Sequence, residues 1–568
     1  VPPETIQPTN RRAAPVNLLW GGSLLLLVGV LGSFDMVNAD IWWHLRTGQL
    51  IMSGEGIPSS DWYTYMNPEA RWIDLHWLFQ VVSWGIFSQA GTAGLIFAKV
   101  AIGAATFWLL LSCRKTEWSV AVGVGCLLIP AFLFAGRYLV RPEIVSLFLL
   151  AATIRIVHLG QQEKRFLWLL PLVQLVWVNC QSLFILQWVV LACFTLEFLA
   201  QWRFADAADN DQAAFLRTWW QVLGVTAVCT FMNPYGWYGA TFPLVVFEKI
   251  QGENREFFHA FAGELRGPVD FIRQYGLMRV LREPTVILMS TLFISALVPT
   301  IQRWRRGDIE IARPLLLFGF TYLAFRMSRN AALFAVVGGY VARWNIGAVY
   351  EQVGQSGWFH GRHVGRTLQI CLMSTLAVSI AWCGSGRFHA SVNSAPPRAM
   401  GWGESDWYPH DAARVLADAR MPSRIVAHHL GVAAVVIFHA CPDKKIFVDA
   451  RLETNTRSTL SAYQQLFDGL TKGDQRVLQS LTRDLPEPEW PAIVVSNHHL
   501  VHQPLIFQAL QTDPRWVCVH SSRPRGFVAD RGRVIPGASI FIARERQLEK
   551  GIPLADVRWL IAAIRTPF

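Results

Sequence analysis

Eleven apolar stretches, near residues 16–34, 91–112, 119–136, 143–159, 166–179, 183–200, 217–232, 285–301, 312–326, 330–344 and 366–384, dominate the chain. A membrane helix needs about 20 apolar residues to cross the hydrocarbon, or fewer between polar anchors. In the bilayer every backbone polar group must be satisfied within the segment, so stretches of this kind can only be helices. The composition agrees: 16% of residues are charged, where soluble domains carry roughly 25%, while 52% are hydrophobic and 25 are Trp. A disordered chain, a nucleic-acid-binding domain and an ordinary cytosolic enzyme are excluded.

The fifth and sixth stretches are divided only by Asn179-Cys180-Gln181-Ser182. That break reads as a turn at the membrane face, with one kinked segment as the alternative. The net charge of +11 fits Lys and Arg gathered in cytoplasmic loops. With the N-terminus (Arg11, Arg12) inside, alternation brings Arg114-Lys115, Lys164-Arg165, Arg203, Arg303-Arg305-Arg306 and Arg343-Arg362 to the same side. An odd number of spans then puts everything after Gly384 outside. The short apolar segment 74–89 spoils this pattern if counted as a span, so it reads as an interfacial helix on the outer face. The expected organisation is a membrane core over 1–384, including an outer loop at 35–90 with two interfacial helices, then a linker at 385–420. An exported α/β domain follows at 421–568. The fold class is therefore an all-α polytopic core of about eleven helices with a small soluble α/β domain.

In the tail, RIVAHHL, AAVVIFHA, KKIFVDA, AIVVSN, WVCVHS and SIFIARE read as strands, and TRSTLSAYQQLFDGL as a helix. Cys441 and Cys518 are able to pair if the tail is exported; the nine Cys form no CxxC or metal-type cluster. His428-His429 and His498-His499 invite a metal reading, but adjacent histidines in or beside a strand point to opposite faces, so none is expected. Asp449 and Arg451 either bind a ligand at a strand end or form an ion pair that fixes the turn. No Walker A, GxGxxG, GxSxG or HExxH pattern is present.

The most informative stretch runs from Asp40 to Pro58. In a helix, Asp40 and His44 share a face, and Trp42, Trp43 and Leu45 suit the lipid–water interface. Asp40 is either a carboxylate that accepts a proton from an arriving hydroxyl or an N-cap. His76 either faces Asp40 across the loop or caps the second interfacial helix. Arg137 and Arg141, with Tyr138 and Glu143, fall on the outer side, as do Arg329 and Asn330. Arginines that break the charge rule at membrane level need a partner: a carboxylate, a headgroup or a phosphate. Glu253, Glu256, His259 and Glu264, in the loop after the seventh span, either line a cavity or solvate a loop.

These blocks, namely DIWWHLRTGQLI, IPSSDWYTY, WIDLHWL, RPE, NPYG, SRNAALFA and IFVDARLE, resemble a bacterial membrane family with a GT-C-like core and an exported C-terminal domain. The GT-C superfamily comprises polytopic glycosyltransferases that use polyprenyl-phosphate-linked sugars. The resemblance runs from residue 40 to about 470. It implies that Asp40 is the general base, that Arg137, Arg141 and Arg329 hold the lipid phosphate, and that Glu143 is a second acidic residue. His44 and His76 would assist at the phosphate or orient Asp40, and Asn330 belongs with the substrate-binding set. The donor would be a polyprenyl-phosphate-linked sugar, and the location the outer face of a bacterial inner membrane.

Three features depart from the family pattern. Asn179 is followed by Cys-Gln-Ser rather than His-Gly, and the tail reads Asp-Ala-Arg where Asp-Gly-Arg is usual. The paired acidic metal motif of oligosaccharyltransferases is missing, so a divalent metal has no support. The leading expectation is a GT-C-type glycosyltransferase with lipid partners and no nucleic acid. The competing one is a non-catalytic subunit of a larger membrane assembly. A transporter fits less well, because few charges fall mid-span and no inverted repeat is evident.

Overall fold

The computed structural model describes residues 13–113, 120–204, 210–355, 362–392, 394, 396–451, 453–483, 485–523 and 535–565. Arg11, Arg12, Arg114 and Lys115, used above for orientation, lie outside the described residues. The chain divides into two compact units. One holds the chain up to Phe34, Ile96–Asn233 and Arg255–Val392. The other holds Asp35–Leu95, Pro234–Asn254 and the chain from Asn393 on. The first outer loop therefore groups with the tail.

The first unit is helical. A helix occupies each apolar stretch read from the sequence, and Asn179-Cys180 is a turn between the helices Leu169–Val178 and Ile185–Phe204. Among the described residues, six helices are long and apolar enough to cross a membrane: Trp77–Ser112, Pro142–Gln162, Ser182–Arg203, Pro284–Arg305, Ser328–Val349 and Arg366–Gly384. Asn17–Gly32 and Val120–Ala135 are apolar but shorter. The 36-residue helix Trp77–Ser112 contains both the segment read as interfacial and the second span; Gly91, at φ +58°, breaks it between them. Only glycine reaches that backbone conformation without strain.

Two basic residues read as loop charges are buried instead. Arg343, inside the helix Ala331–Gln355, donates to the backbone oxygens of Cys113 (3.0 Å) and Leu111 at the end of Trp77–Ser112. Arg303 is held by Asp308 (2.6 Å), Glu310 (2.8 Å) and Asn345 (2.8 Å). A buried guanidinium persists only when its donors are satisfied in this way. The orientation drawn from the turn charges rests on the remaining residues.

The second unit is built on a five-stranded sheet in the order β2-β1-β3-β5-β4. Its strands are β1 (Arg424–Ala427), β2 (Lys445–Ile446), β3 (Ala492–Ser496), β4 (Trp516–Ser521) and β5 (Ala538–Ala543). β1, β2 and β3 run parallel, and β5 pairs antiparallel with β3 and β4. Central β3 is buried throughout, which explains its unbroken apolar sequence.

AAVVIFHA, read as a strand, is the helix Leu430–Ala440. A short apolar run buried on every side carries no period to tell helix from strand. Cys441 and Cys518 are free thiols. Cys441 precedes edge strand β2 and Cys518 lies on the opposite edge strand, β4. Four strand spacings of about 4.8 Å put that edge far beyond disulfide reach.

Candidate functional site

Within the first unit, three chain segments deliver charge to one place. The turn after Val120–Ala135 supplies Arg137, and Arg141 and Glu143 open the helix Pro142–Gln162, where Pro142 at the first helical position fixes the entry. The short turn Gly263–Leu265 supplies Glu264, and Ser328–Asn330 supplies Arg329. Arg137 grips Glu143 with Nε and Nη2 (3.1 and 2.5 Å to Oε2) and reaches Glu264 Oε2 with Nη1 (2.7 Å). Arg141 Nη1 stands 3.5 Å from the same Glu264 oxygen. Arg329 is electrostatically coupled to both glutamates and to both arginines, yet makes no hydrogen bond among the described residues. Three guanidiniums thus gather around Glu143 and Glu264.

Burial raises the pKa of Glu264, but Arg137, Arg141 and Arg329 together outweigh that and bring it down to about 2. Glu264 is therefore ionised at neutral pH. In the sequence it stands beside Glu253, Glu256 and His259 with nothing to single it out; its one signal is an acidic side chain on the same outer face as arginines that break the charge rule. Asn330 is occupied elsewhere, donating to the Leu323 carbonyl (2.9 Å) in the last turn of Ala312–Arg326. Tyr138 donates to the Val100 carbonyl (3.1 Å).

The other residues taken from the first outer loop lie in the second unit. Asp40 holds the N-cap position of the helix Ile41–Leu50 without making a side-chain cap bond. One turn on, His44 is buried, its ring 5.4 Å from that of His76. Gln80 Nε2 lies 3.4 Å from His44 Nδ1 and donates to Asp74 (3.1 Å), which also stands 3.3 Å from His76 Nδ1. His76 thus answers to Asp74 and His44. Asp74, fully buried, was not anticipated, although its Asp-x-His spacing was visible in WIDLHWL.

Trp42, Trp43 and Leu45, expected at the lipid–water interface, are buried inside this unit. The Trp42 ring packs against Tyr408 (5.6 Å), His410 (4.5 Å) and Phe438 (5.1 Å). An indole's large apolar area serves a core as well as an interface, so spacing alone could not choose. Gly48 permits the close approach of this helix to Trp77–Ser112: a Cβ there would meet the Gln80 carbonyl oxygen at 2.2 Å.

Asp449 and Arg451 form the internal pair, joined by a third member, Asp61, whose Oδ1 accepts from Arg451 Nη2 at 2.5 Å. Arg451 is fully buried and stacks over Trp72 (4.2 Å), so this motif ties the first loop to the tail rather than exposing a ligand site.

The two histidine pairs lie close to each other. His428 and His429 directly follow β1, and His498 and His499 lie in the helix Asn497–His502 after β3. His428 and His499 ring centroids are 4.5 Å apart. Burial, and after it repulsion from neighbouring histidines, lowers His428 to about 3 and His499 to about 4. Among the described residues no three His, Cys, Asp or Glu side chains converge as a metal set.

Fold and helices together define a multi-pass membrane protein. No protein-family model and no curated protein matches the chain. Among solved structures it resembles the oligosaccharyltransferase of Archaeoglobus fulgidus in its apo form, with a TM-score of 0.55 and 11% identity over 93% of this chain and 77% of that one. The chain thus shares its fold with that oligosaccharyltransferase.

Proposed function

We propose that this chain is a membrane glycosyltransferase of GT-C type, moving a sugar from a polyprenyl-phosphate donor to an acceptor hydroxyl on the outer face of a bacterial inner membrane. The observation that carries the reading is the gathering of Arg137, Arg141 and Arg329 around Glu143 and Glu264, with Arg329 making no hydrogen bond among the described residues. Arginine suits phosphate because its planar fork matches two oxygens at once. In the reaction the acceptor oxygen bonds to the anomeric carbon and the bond from that carbon to the phosphate oxygen breaks. Polyprenyl phosphate leaves with added negative charge, which guanidiniums stabilise. The acceptor proton passes to a carboxylate. The resemblance gives that role to Asp40, a separate proposal with its own test. Glu143 and Glu264 are positioning residues that orient Arg137. His44 and His76 hold their places through Asp74 and Gln80.

A non-catalytic subunit of a larger membrane complex is the second reading. It is favoured by one observation, that both glutamates already engage Arg137. The two part in a transfer assay on full-length protein in nanodiscs with a polyprenyl-phosphate-linked radiolabelled hexose. Release of polyprenyl phosphate that Asp40→Asn abolishes without loss of donor binding supports the enzyme. No donor binding by the wild type favours the subunit.

A further inference from the structure

Between Arg255 and Arg282 the first unit carries a segment that the reading above uses only at Glu264. It folds as the short helices Arg255–Phe261, Pro268–Tyr275 and Leu277–Val280, then runs within four residues into the candidate span that begins at Pro284. So short a connection keeps the last of these helices at the depth of the membrane surface. Tyr275, Leu277, Met278 and Leu281 are exposed. Arg273, Arg279 and Arg282 are interleaved with them, and the Arg279 guanidinium lies 5.1 Å from the Tyr275 ring centre. Exposed apolar side chains beside arginines, at the mouth of a span, match the boundary between acyl chains and headgroups.

Beside these helices is a cavity of about 270 Å³ whose lining includes Arg255, Arg266, Arg273, His259 and Gln274, with Asp270 and Glu256 as its acids. Arg266 is fixed, donating to the His259 carbonyl (2.7 Å) and to Gln274 Oε1 (3.1 Å). Arg255 pairs with Asp270 Oδ1 (2.9 Å), but its buried Nε has no hydrogen-bond partner. Among the described residues Arg273 makes neither a hydrogen bond nor an ion pair. Unused guanidinium donors at a membrane surface call for phosphate oxygens.

We propose that this cavity is a binding site for the phosphate headgroup of an anionic bilayer lipid, whose chains lie against Tyr275, Leu277, Met278 and Leu281. The site uses different side chains from the group around Glu264, so it does not depend on the donor assignment.

Native mass spectrometry of the full-length protein, supplied with phosphatidylglycerol or phosphatidylcholine, tests it. The wild type should retain phosphatidylglycerol preferentially. Removing two guanidiniums in R255Q/R273Q should weaken that retention roughly thirtyfold, at about tenfold per 1.4 kcal/mol and about 1 kcal/mol per juxtamembrane arginine. L277N/M278N, altering exposed side chains, should weaken it several-fold and serves if the arginine pair fails to fold. Inorganic phosphate should not displace the lipid. Equal retention of the two lipids by the wild type would overturn the proposal. So would unchanged retention in either folded double variant, or displacement by inorganic phosphate, which would mark a site for the free ion.

Discussion

At the scale of single residues, Arg137 and Arg329 carry the same charge and opposite duties. Arg137 neutralises Glu143, whose side chain is only 12% exposed. Arg137→Ala therefore leaves a buried carboxylate unpaired and should cost about 3–5 kcal/mol in stability. Arg329→Ala breaks no hydrogen bond; it should leave the melting temperature nearly unchanged and weaken polyprenyl-phosphate binding tenfold or more. Thermal unfolding and donor binding, measured on both variants, separate the two; a matched loss of stability would contradict the assignment. Glu264 adds a pH signature. Its folded pKa lies below the ordinary 4.5, at about 2, so its contribution is present above pH 4.5 and is lost as pH falls toward 2. The side chain is 41% exposed, so solvent screens part of the effect. Glu264→Gln should flatten the melting temperature against pH in that window. The arginines were legible in the sequence because they offend the charge rule of membrane loops. Glu264 was not, since nothing local distinguishes it from Glu253 or Glu256.

At the scale of elements, legibility followed periodicity and length. The long apolar helices announced themselves, and Asn179-Cys180 was readable as a turn because a polar break has no place in hydrocarbon. The buried segments misled. Leu430–Ala440 looked like a strand, and Ile41–Leu50 looked like a membrane-surface helix because its tryptophans satisfy either setting. Two changes test the packing that decided these cases. Gly48→Ala places a methyl against the Gln80 carbonyl and should destabilise the protein by about 1–3 kcal/mol. Arg451→Ala strands Asp61 and Asp449, both buried, and should cost about 3–5 kcal/mol. Denaturant titration of the tail's tryptophan fluorescence reads both, and a neutral Arg451→Ala would show that the motif does not tie loop to tail.

At the scale of the whole molecule, a largely helical chain with a small sheet towards its end was legible in the sequence, but the grouping of Asp35–Leu95 with the tail was not. That grouping depends on pairings across hundreds of residues, such as Arg46 Nε to the Cys441 carbonyl at 2.7 Å, which no local pattern encodes. The proposed orientation puts the tail outside. A cysteine-free variant with one new cysteine at Ser391 should then label with an impermeant thiol reagent in intact spheroplasts, and protection there would reverse the topology.

Arg137, Arg141 and Arg329 are proposed to hold a lipid phosphate. A cryo-EM map of the full-length protein, purified with polyprenyl phosphate present, tests it most directly. Phosphate density within hydrogen-bonding distance of Arg329, continuous with a lipid tail, is the expected result. An empty position there, with the lipid bound elsewhere or not at all, would contradict it.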